Sequence, residues 1–269
     1  MLLGISSFTY GWAFGANGNK PSMTISQLLQ LTSAFGLKCL QIGDNAPLHC
    51  LDTEQLASLR AIAKGIRLEV GARGLTPDHL EQYIQIATSI DAPLLRFVVD
   101  GPGYEPAELE IISIIRNVLP ELRKRNIILG IENHDRFKAE QLRNILDTLA
   151  DDQVGICLDT VNSLGAGEGL DWVTNVLAPL TVNLHIKEFS ISRFSHNMGF
   201  EVVGAPAGKG MMDITSVIDQ LGEYKRCKSA VLEQWVPWQG TYSDTVALEK
   251  RWSEESINYL KGLSIFNDK

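Results

Sequence analysis

Two kinds of segment alternate along the chain: short β-branched or apolar runs, and longer stretches whose apolar residues recur at helical spacing. The runs fall at 2–8, 37–42, 66–71, 94–99, 127–132, 154–159, 181–187 and 229–235. Between them, Ile25, Leu28, Leu29, Leu31 and Phe35 mark one helix face, and Leu56, Leu59, Ile62 and Ala63 the next. Leu80, Tyr83, Ile84 and Ala87 continue the series, as do Leu109, Ile112, Ile115, Val118 and Leu119. Asp52-Thr53-Glu54, Thr76-Pro77-Asp78 and Asp213 supply helix-start chemistry. A last helix is predicted from about 243 to 260, with no strand after it. Eight strand–helix units predict an α/β fold, a single (β/α)8 barrel in one domain over 1–269. The rival, a doubly wound open sheet, lacks its G-x-G-x-x-G after the first strand.

Two connections are longer than such units require. Segment 9–22 is glycine-rich and carries Tyr10, Trp12 and Phe14; segment 189–210 holds Arg193, His196, Met198 and Gly208. Both follow strands, so in a barrel both emerge at the face where active sites are built.

Strand parity then singles out chemistry. Glu132, Asp159, His185 and Glu233 each stand near the C-terminal end of one of the last four runs. Side chains alternate between faces, so Gly130, Cys157, Asn183 and Val231 share their inward facing. The opposite parity holds Ile131, Ile156, Leu158, Val182, Leu184, Ile186 and Leu232, suited to packing on helices. Three carboxylates and an imidazole converging in a barrel mouth repel one another unless a cation neutralises them. Oxygen-dominated ligation with one histidine suits Mn2+ best, with Mg2+, Co2+ or Zn2+ as alternatives. The competing structural explanation is pairing with a basic residue, and Lys187 has the parity to bridge two of the acids. Inward parity also predicts a buried polar network of Gln41, Glu69 and Arg96, which Arg73 joins unless it reaches the substrate.

The ordered set Gly130-Ile131-Glu132-Asn133, Leu158-Asp159-Thr160, His185-Ile186-Lys187-Glu188 and Leu232-Glu233 resembles the xylose isomerase-like barrel superfamily, and within it the ketose 3-epimerases. The resemblance covers essentially the whole chain. It implies that Glu132, Asp159, His185 and Glu233 bind one divalent metal, and that Glu132 and Glu233 move protons on opposite faces of a small sugar or sugar acid. A divalent-metal isomerase or epimerase is the resulting expectation. The alternative is a lyase that decarboxylates or dehydrates an oxo sugar acid, and a third reading is a non-catalytic sugar-binding barrel. Ketose epimerases of this type place a histidine three residues after the aspartate, where this chain has Asn162. Their arginine after the histidine strand has only Lys187 and Arg193 as candidates. Substrate contacts are therefore expected from Asn162, Lys187, Arg193, His134 and Trp12. The cations Lys187, Arg193, His196 and Lys209 suit a substrate carboxylate or phosphate.

Charge and cysteine content narrow the setting. With 24 Lys+Arg against 32 Asp+Glu the net charge is −8, which argues against nucleic-acid or anionic-membrane partners. Only five histidines are present, too few for the three-zinc DNA-repair branch of the superfamily; His49 and His79 are expected at the surface. Cys39, Cys50, Cys157 and Cys227 form no metal or redox spacing and are expected as buried thiols, Cys157 packing below the metal. No run crosses a bilayer and no secretory leader opens the sequence, so the expected location is cytoplasmic. A homo-oligomer remains open.

Overall fold

The structure, a computed structural model, describes residues 1–266. Eight parallel strands close into a barrel: β1 (Leu2–Ser6), β2 (Cys39–Ile42), β3 (Arg67–Arg73), β4 (Leu94–Val98), β5 (Ile128–Glu132), β6 (Val154–Asp159), β7 (Thr181–Lys187) and β10 (Ser229–Glu233). Helices α1 (Ile25–Ala34), α2 (Thr53–Ile62), α3 (Pro77–Ser89), α4 (Glu108–Arg125), α5 (Ala139–Leu149), α6 (Leu170–Leu177), α7 (Ile214–Tyr224) and α8 (Tyr242–Gly262) separate the strands and close the order. This is the predicted (β/α)8 barrel. Among the described residues no helix is long and apolar enough to cross a membrane.

The start signals act as capping chemistry predicts. Asp52 accepts the Gln55 N–H, Thr76 precedes Pro77 at the first helical position, and Asp213 accepts the Ser216 N–H. Outward strand residues such as Ile131, Ile156, Leu158, Leu184, Ile186 and Leu232 are buried in the layer between sheet and helices.

Two local features depart from the parity and loop expectations. Register slips between Ile156 and Cys157, which pair with Thr181 and Asn183, so Val182 is the extra residue of a bulge. Its side chain turns into the barrel, contrary to the outward placement expected. Gly155 and Gly130 make room for it: a Cβ on Gly155 would collide with Val182 Cγ1 and stand 2.7 Å from Leu180 O, and one on Gly130 would meet Val182 Cγ2 at 3.4 Å. Segment 189–210 is also not a plain loop. It contains an antiparallel hairpin of β8 (Phe189–Arg193) and β9 (Phe200–Gly204). Cys50 is exposed rather than buried, and His79 is half-buried, edge-on to Tyr83 and Phe97.

Candidate metal centre and substrate cavity

Each carboxylate at the strand ends is fixed by a hydrogen bond to one oxygen, and in Glu132 and Asp159 the other oxygen faces inward. Glu132, ending β5, takes the Asn162 Nδ2–H at 2.8 Å on Oε1, which leaves Oε2 facing inward. Asp159, ending β6, accepts the backbone N–H groups of Val161 and Asn162 on Oδ1 at 2.8 and 2.9 Å. Asn133 fixes the same strand end from outside, accepting the Asp159 N–H at 2.6 Å and donating to the Asp159 carbonyl at 2.9 Å. Glu233, ending β10, accepts the Ser6 hydroxyl at 3.0 Å.

His185 stands among them. Its Nε2 lies 2.7 Å from Gln41 Oε1, and the Gln41 amide cannot be turned, because its Nε2 donates to Glu69 Oε2 at 3.3 Å and Asn183 Oδ1 at 3.1 Å. His185 therefore carries its proton on Nε2 and aims the Nδ1 lone pair at the acids. Nδ1 is 3.4 Å from Glu233 Oε1, 3.8 Å from Glu132 Oε2 and 3.9 Å from Asp159 Oδ2. His185 Nδ1, Glu132 Oε2 and Asp159 Oδ2 are all buried without a hydrogen-bond partner. Only Arg96 and Lys187 stand beside the two carboxylate oxygens, and nothing donates to the imidazole nitrogen. Oxygen acceptors converging with one free ring nitrogen suit a hard divalent cation, so these residues fit the metal that their sequence pattern implies.

Two cations moderate the acids. Lys187 Nζ lies 2.6 Å from Asp159 Oδ2 and 3.2 Å from Glu233 Oε2, and Arg96 Nε lies 3.1 Å from Glu132 Oε2. Burial pushes the Glu233 carboxyl up, but surrounding positive charge, from His185 when its ring carries both protons and then from Lys187 and Arg96, holds it below the ordinary range. Burial likewise disfavours charge on Lys187, yet Asp159, Glu233 and Glu132 outweigh it and keep the ammonium protonated. Cys157 also lies within reach of Glu132 and His185, but burial first and then Glu132 raise its thiol well above the ordinary range. Its Sγ–H donates to Asn183 Oδ1 at 3.0 Å, so it packs beneath the acids as a neutral group.

Above this floor a cavity of about 220 Å³ is bordered by Phe8, Asp44, Arg73, His134, Asn162 and Trp235, with Glu132 and Glu233 in its lining. The sequence pattern that defines the xylose isomerase-like TIM barrel matches residues 69–263. The chain belongs to the xylose isomerase-like TIM-barrel family. It is 32% identical to the 3-oxo-isoapionate decarboxylase of Pectobacterium atrosepticum over 262 residues, 97% of this chain and 95% of that protein. D-psicose 3-epimerase of Clostridium cellulolyticum H10, solved with D-tagatose, superposes with a TM-score of 0.73 at 16% identity over 97% of both chains. A xylose isomerase-like barrel protein of Mycobacterium smegmatis in complex with magnesium gives 0.71 at 13% identity, covering 96% of this chain and 97% of that one. At those identities the two structures establish the shared fold.

Within this family member the substrate residues expected from sequence divide into those at the mouth and those away from it. Asn162, Lys187 and His134 border the cavity. Trp12 does not; its Nε1–H donates to Val236 O at 2.8 Å and its ring leans on Trp238 at 5.4 Å. With Phe14 it walls a neighbouring apolar cleft of about 680 Å³ that shares Phe8, Gln234 and Trp235 with the cavity. Arg193 lies on the hairpin, exposed, donating to Asn197 O at 3.0 Å and covering the Phe200 ring at 4.4 Å. Hairpin formation carries it out of the group, and Lys209 is drawn to Glu255 at 2.6 Å on α8. The Gln41–Glu69 network is present, extended by Asn183 and Ser229, whereas Arg96 leaves it for Asp44 and Glu132. Ser6, Asp44 and Asn133 are site residues that sequence reading passed over. Ser6 was the most accessible, since it ends β1 at the same level as the other strand-end groups.

Proposed function

We propose that the protein is a divalent-metal-dependent enzyme that decarboxylates a small 3-oxo sugar acid. The observation that carries this reading is the end-to-end likeness to 3-oxo-isoapionate decarboxylase at 32% identity. Glu132, Asp159, His185 and Glu233 would hold the metal. A cation held there would supply Lewis acidity for a substrate carbonyl and for the negative charge of an enolate.

A 3-oxo acid carries its carbonyl β to the carboxylate. The bond between the carboxylate carbon and the α-carbon breaks, its electron pair moves into the enolate, carbon dioxide leaves, and a proton taken up from water by the α-carbon gives the ketone. No base is needed to start this reaction. That suits a Glu233 whose carboxyl is held below its ordinary range by the positive charge around it, a weak proton acceptor at neutral pH. Lys187, kept charged in a buried position, adds fixed positive charge beside the oxygen where negative charge develops. Asn162, tied to Glu132, offers an amide to substrate hydroxyls in place of a cation.

The second reading is 3-epimerisation, with Glu132 and Glu233 removing and returning a proton from strands across the mouth. The shared fold with D-psicose 3-epimerase favours it. One experiment separates the two. Chelator-treated protein reloaded with Mn2+ or Mg2+ is incubated in D2O with panels of 3-oxo sugar acids and ketoses and followed by NMR with carbon dioxide capture. Decarboxylation releases carbon dioxide and leaves one deuteron on the product α-carbon. Deuterium exchange in ketoses with full carbon retention establishes epimerisation instead. Carbon dioxide release that persists after exhaustive chelation removes the metal from the account.

A further inference from the structure

We propose that Arg73, braced by His134 and Asp135, is the anchor for the carboxylate of the substrate. The inference rests on the reading of that substrate as an oxo sugar acid. Three permanent cations border the cavity: Arg73, Arg96 and Lys187. Arg96 and Lys187 are committed within the protein. Arg96 Nη1 donates to Asp44 Oδ1 at 3.0 Å and Ala72 O at 3.3 Å while Nε faces Glu132, and Lys187 serves Asp159 and Glu233.

Arg73 differs. It ends β3 at the mouth with its side chain 35% exposed. Its one acidic partner, Asp44, lies 3.4 Å from Nε and is already shared with Arg96, so one carboxylate stands against two guanidinium charges. Burial raises the Asp44 carboxyl, but Arg96 and then Arg73 bring it below its ordinary value, so it is ionised and its single charge is fully used. Arg73 Nη2 lies 3.1 Å from His134 Nε2. A guanidinium only donates, so His134 Nε2 accepts and its proton sits on Nδ1, 3.2 Å from Asp135 Oδ2. A neutral imidazole thus fixes the plane of the guanidinium without cancelling its charge. Nη1 has no protein partner among the described residues, and Nη2 keeps a second hydrogen. Those two donors make the parallel fork that a carboxylate accepts.

The placement also explains how one cavity can hold both ends of such a molecule. With a cation held by the acids, the carbonyl and hydroxyl end of the substrate would lie toward the base and its carboxylate toward Arg73 at the rim. The bond to be broken then spans the gap between them.

The test uses Mg2+-loaded protein and two probes with the same polyol chain, D-ribonate and ribitol, with binding followed by chemical-shift changes. The wild type is expected to prefer ribonate. Arg73→Met should weaken ribonate by about tenfold to a hundredfold, the worth of a charge-assisted hydrogen bond pair, and leave ribitol unchanged. Arg73→Lys should fall between, since a point charge lacks the fork. His134→Gln, whose Oε1 can still accept from Arg73, should retain the preference, and His134→Phe should lose part of it with the thermal midpoint unchanged. A wild type without preference for ribonate, or an Arg73→Met protein that keeps it, overturns the anchor. Failure of the decarboxylase reading shows separately, as a wild type that prefers ribonate but releases no carbon dioxide from any 3-oxo acid.

Discussion

Replacing Gln41 by leucine tests whether the lone pair on His185 is what makes the cluster a cation site. The substitution keeps side-chain size and removes three contacts: to His185 Nε2 at 2.7 Å, to Glu69 Oε2 at 3.3 Å and to Asn183 Oδ1 at 3.1 Å. Glu69 retains Arg67 at 3.0 Å, Ser229 at 2.6 Å and Asn183 at 3.4 Å, so the fold survives. The His185 Nε2–H, however, is left buried without an acceptor, which costs about 1–3 kcal/mol. The imidazole recovers part of that by carrying its proton on Nδ1 instead, where Glu233 Oε1 already lies 3.4 Å away. The lone pair is then gone, and a cation must drive the proton back to bind. Affinity is expected to fall by about 10- to 100-fold, in line with other losses of a partner behind a metal-bound histidine. Competition against a fluorescent chelator measures it directly. Thermal unfolding gives a second reading, because a tenfold weaker ligand at fixed excess removes about 1.4 kcal/mol of ligand-linked stability. A folded Gln41→Leu protein that binds Mn2+ within twofold of the wild type would refute the reasoning.

Other consequences follow from the same contacts. Lys187→Met leaves Asp159 and Glu233 uncompensated; the chelated variant should lose about 3–5 kcal/mol of stability and regain most of it with excess Mg2+, read by thermal unfolding with and without the ion. Glu249 is buried on α8, where it accepts the Trp12 and Ala13 backbone N–H groups, and burial lifts it from 4.5 to about 7 against those two bonds. A carboxyl raised by folding stabilises the protein below its unfolded pKa and loses that contribution as pH climbs through the folded one. Denaturation of the wild type should therefore show about 3 kcal/mol lost between pH 4.5 and 7 from this group, and Glu249→Gln should lack that slope. Gly155→Ala places a methyl against Val182 and 2.7 Å from Leu180 O, and should cost about 1–3 kcal/mol. Adding Val182→Ala should return part of the loss; no change in the melting point of the single variant contradicts an inward Val182.

The barrel was legible because its two periodicities are strong and repeat. The four strand-end groups were legible because parity ties each to inward neighbours that are small or polar. Parity failed at Val182, where a bulge decided by the register of β6 against β7 reverses one side chain. Nothing in Thr181-Val182-Asn183 announces it, although the paired glycines Gly130 and Gly155 were an indirect trace of the space it needs. The hairpin at 189–204 escaped because its strands are short and interrupted by Arg193-Phe194-Ser195-His196; Asn197 and Gly199, both at positive φ, mark the turn. That miss moved Arg193 from the mouth to the hairpin. Arg96 was expected in the network with Gln41 and Glu69, but which carboxylate an inward arginine selects depends on strand tilt and on Asp44, which lies beyond the end of β2.

Pairing with Lys187 and binding of a metal stand as rival explanations of the acids when only the sequence is considered, but in the structure they are complementary. Glu132, Asp159 and Glu233 contribute three negative charges, and Lys187 and Arg96 return two, with Arg96 also engaged by Asp44. Lys187 approaches from the rim side of Asp159 and Glu233, and its Nζ sits 5.5 Å from the Trp235 ring at the cavity wall. The ammonium therefore lowers the repulsion between acids but leaves the His185 Nδ1 without a partner. What remains is an imidazole lone pair facing carboxylate oxygens at 3.4–3.9 Å, a contact that is repulsive until positive charge lies between them. Lys187 and Arg96 each reach one of these oxygens, Asp159 Oδ2 and Glu132 Oε2, but neither meets the imidazole nitrogen. Gln41 fixes one proton on the far nitrogen, so the ring supplies that charge only by taking a second proton on Nδ1, which a bound cation would displace. The two basic residues preassemble a site whose last charge has to arrive as an ion.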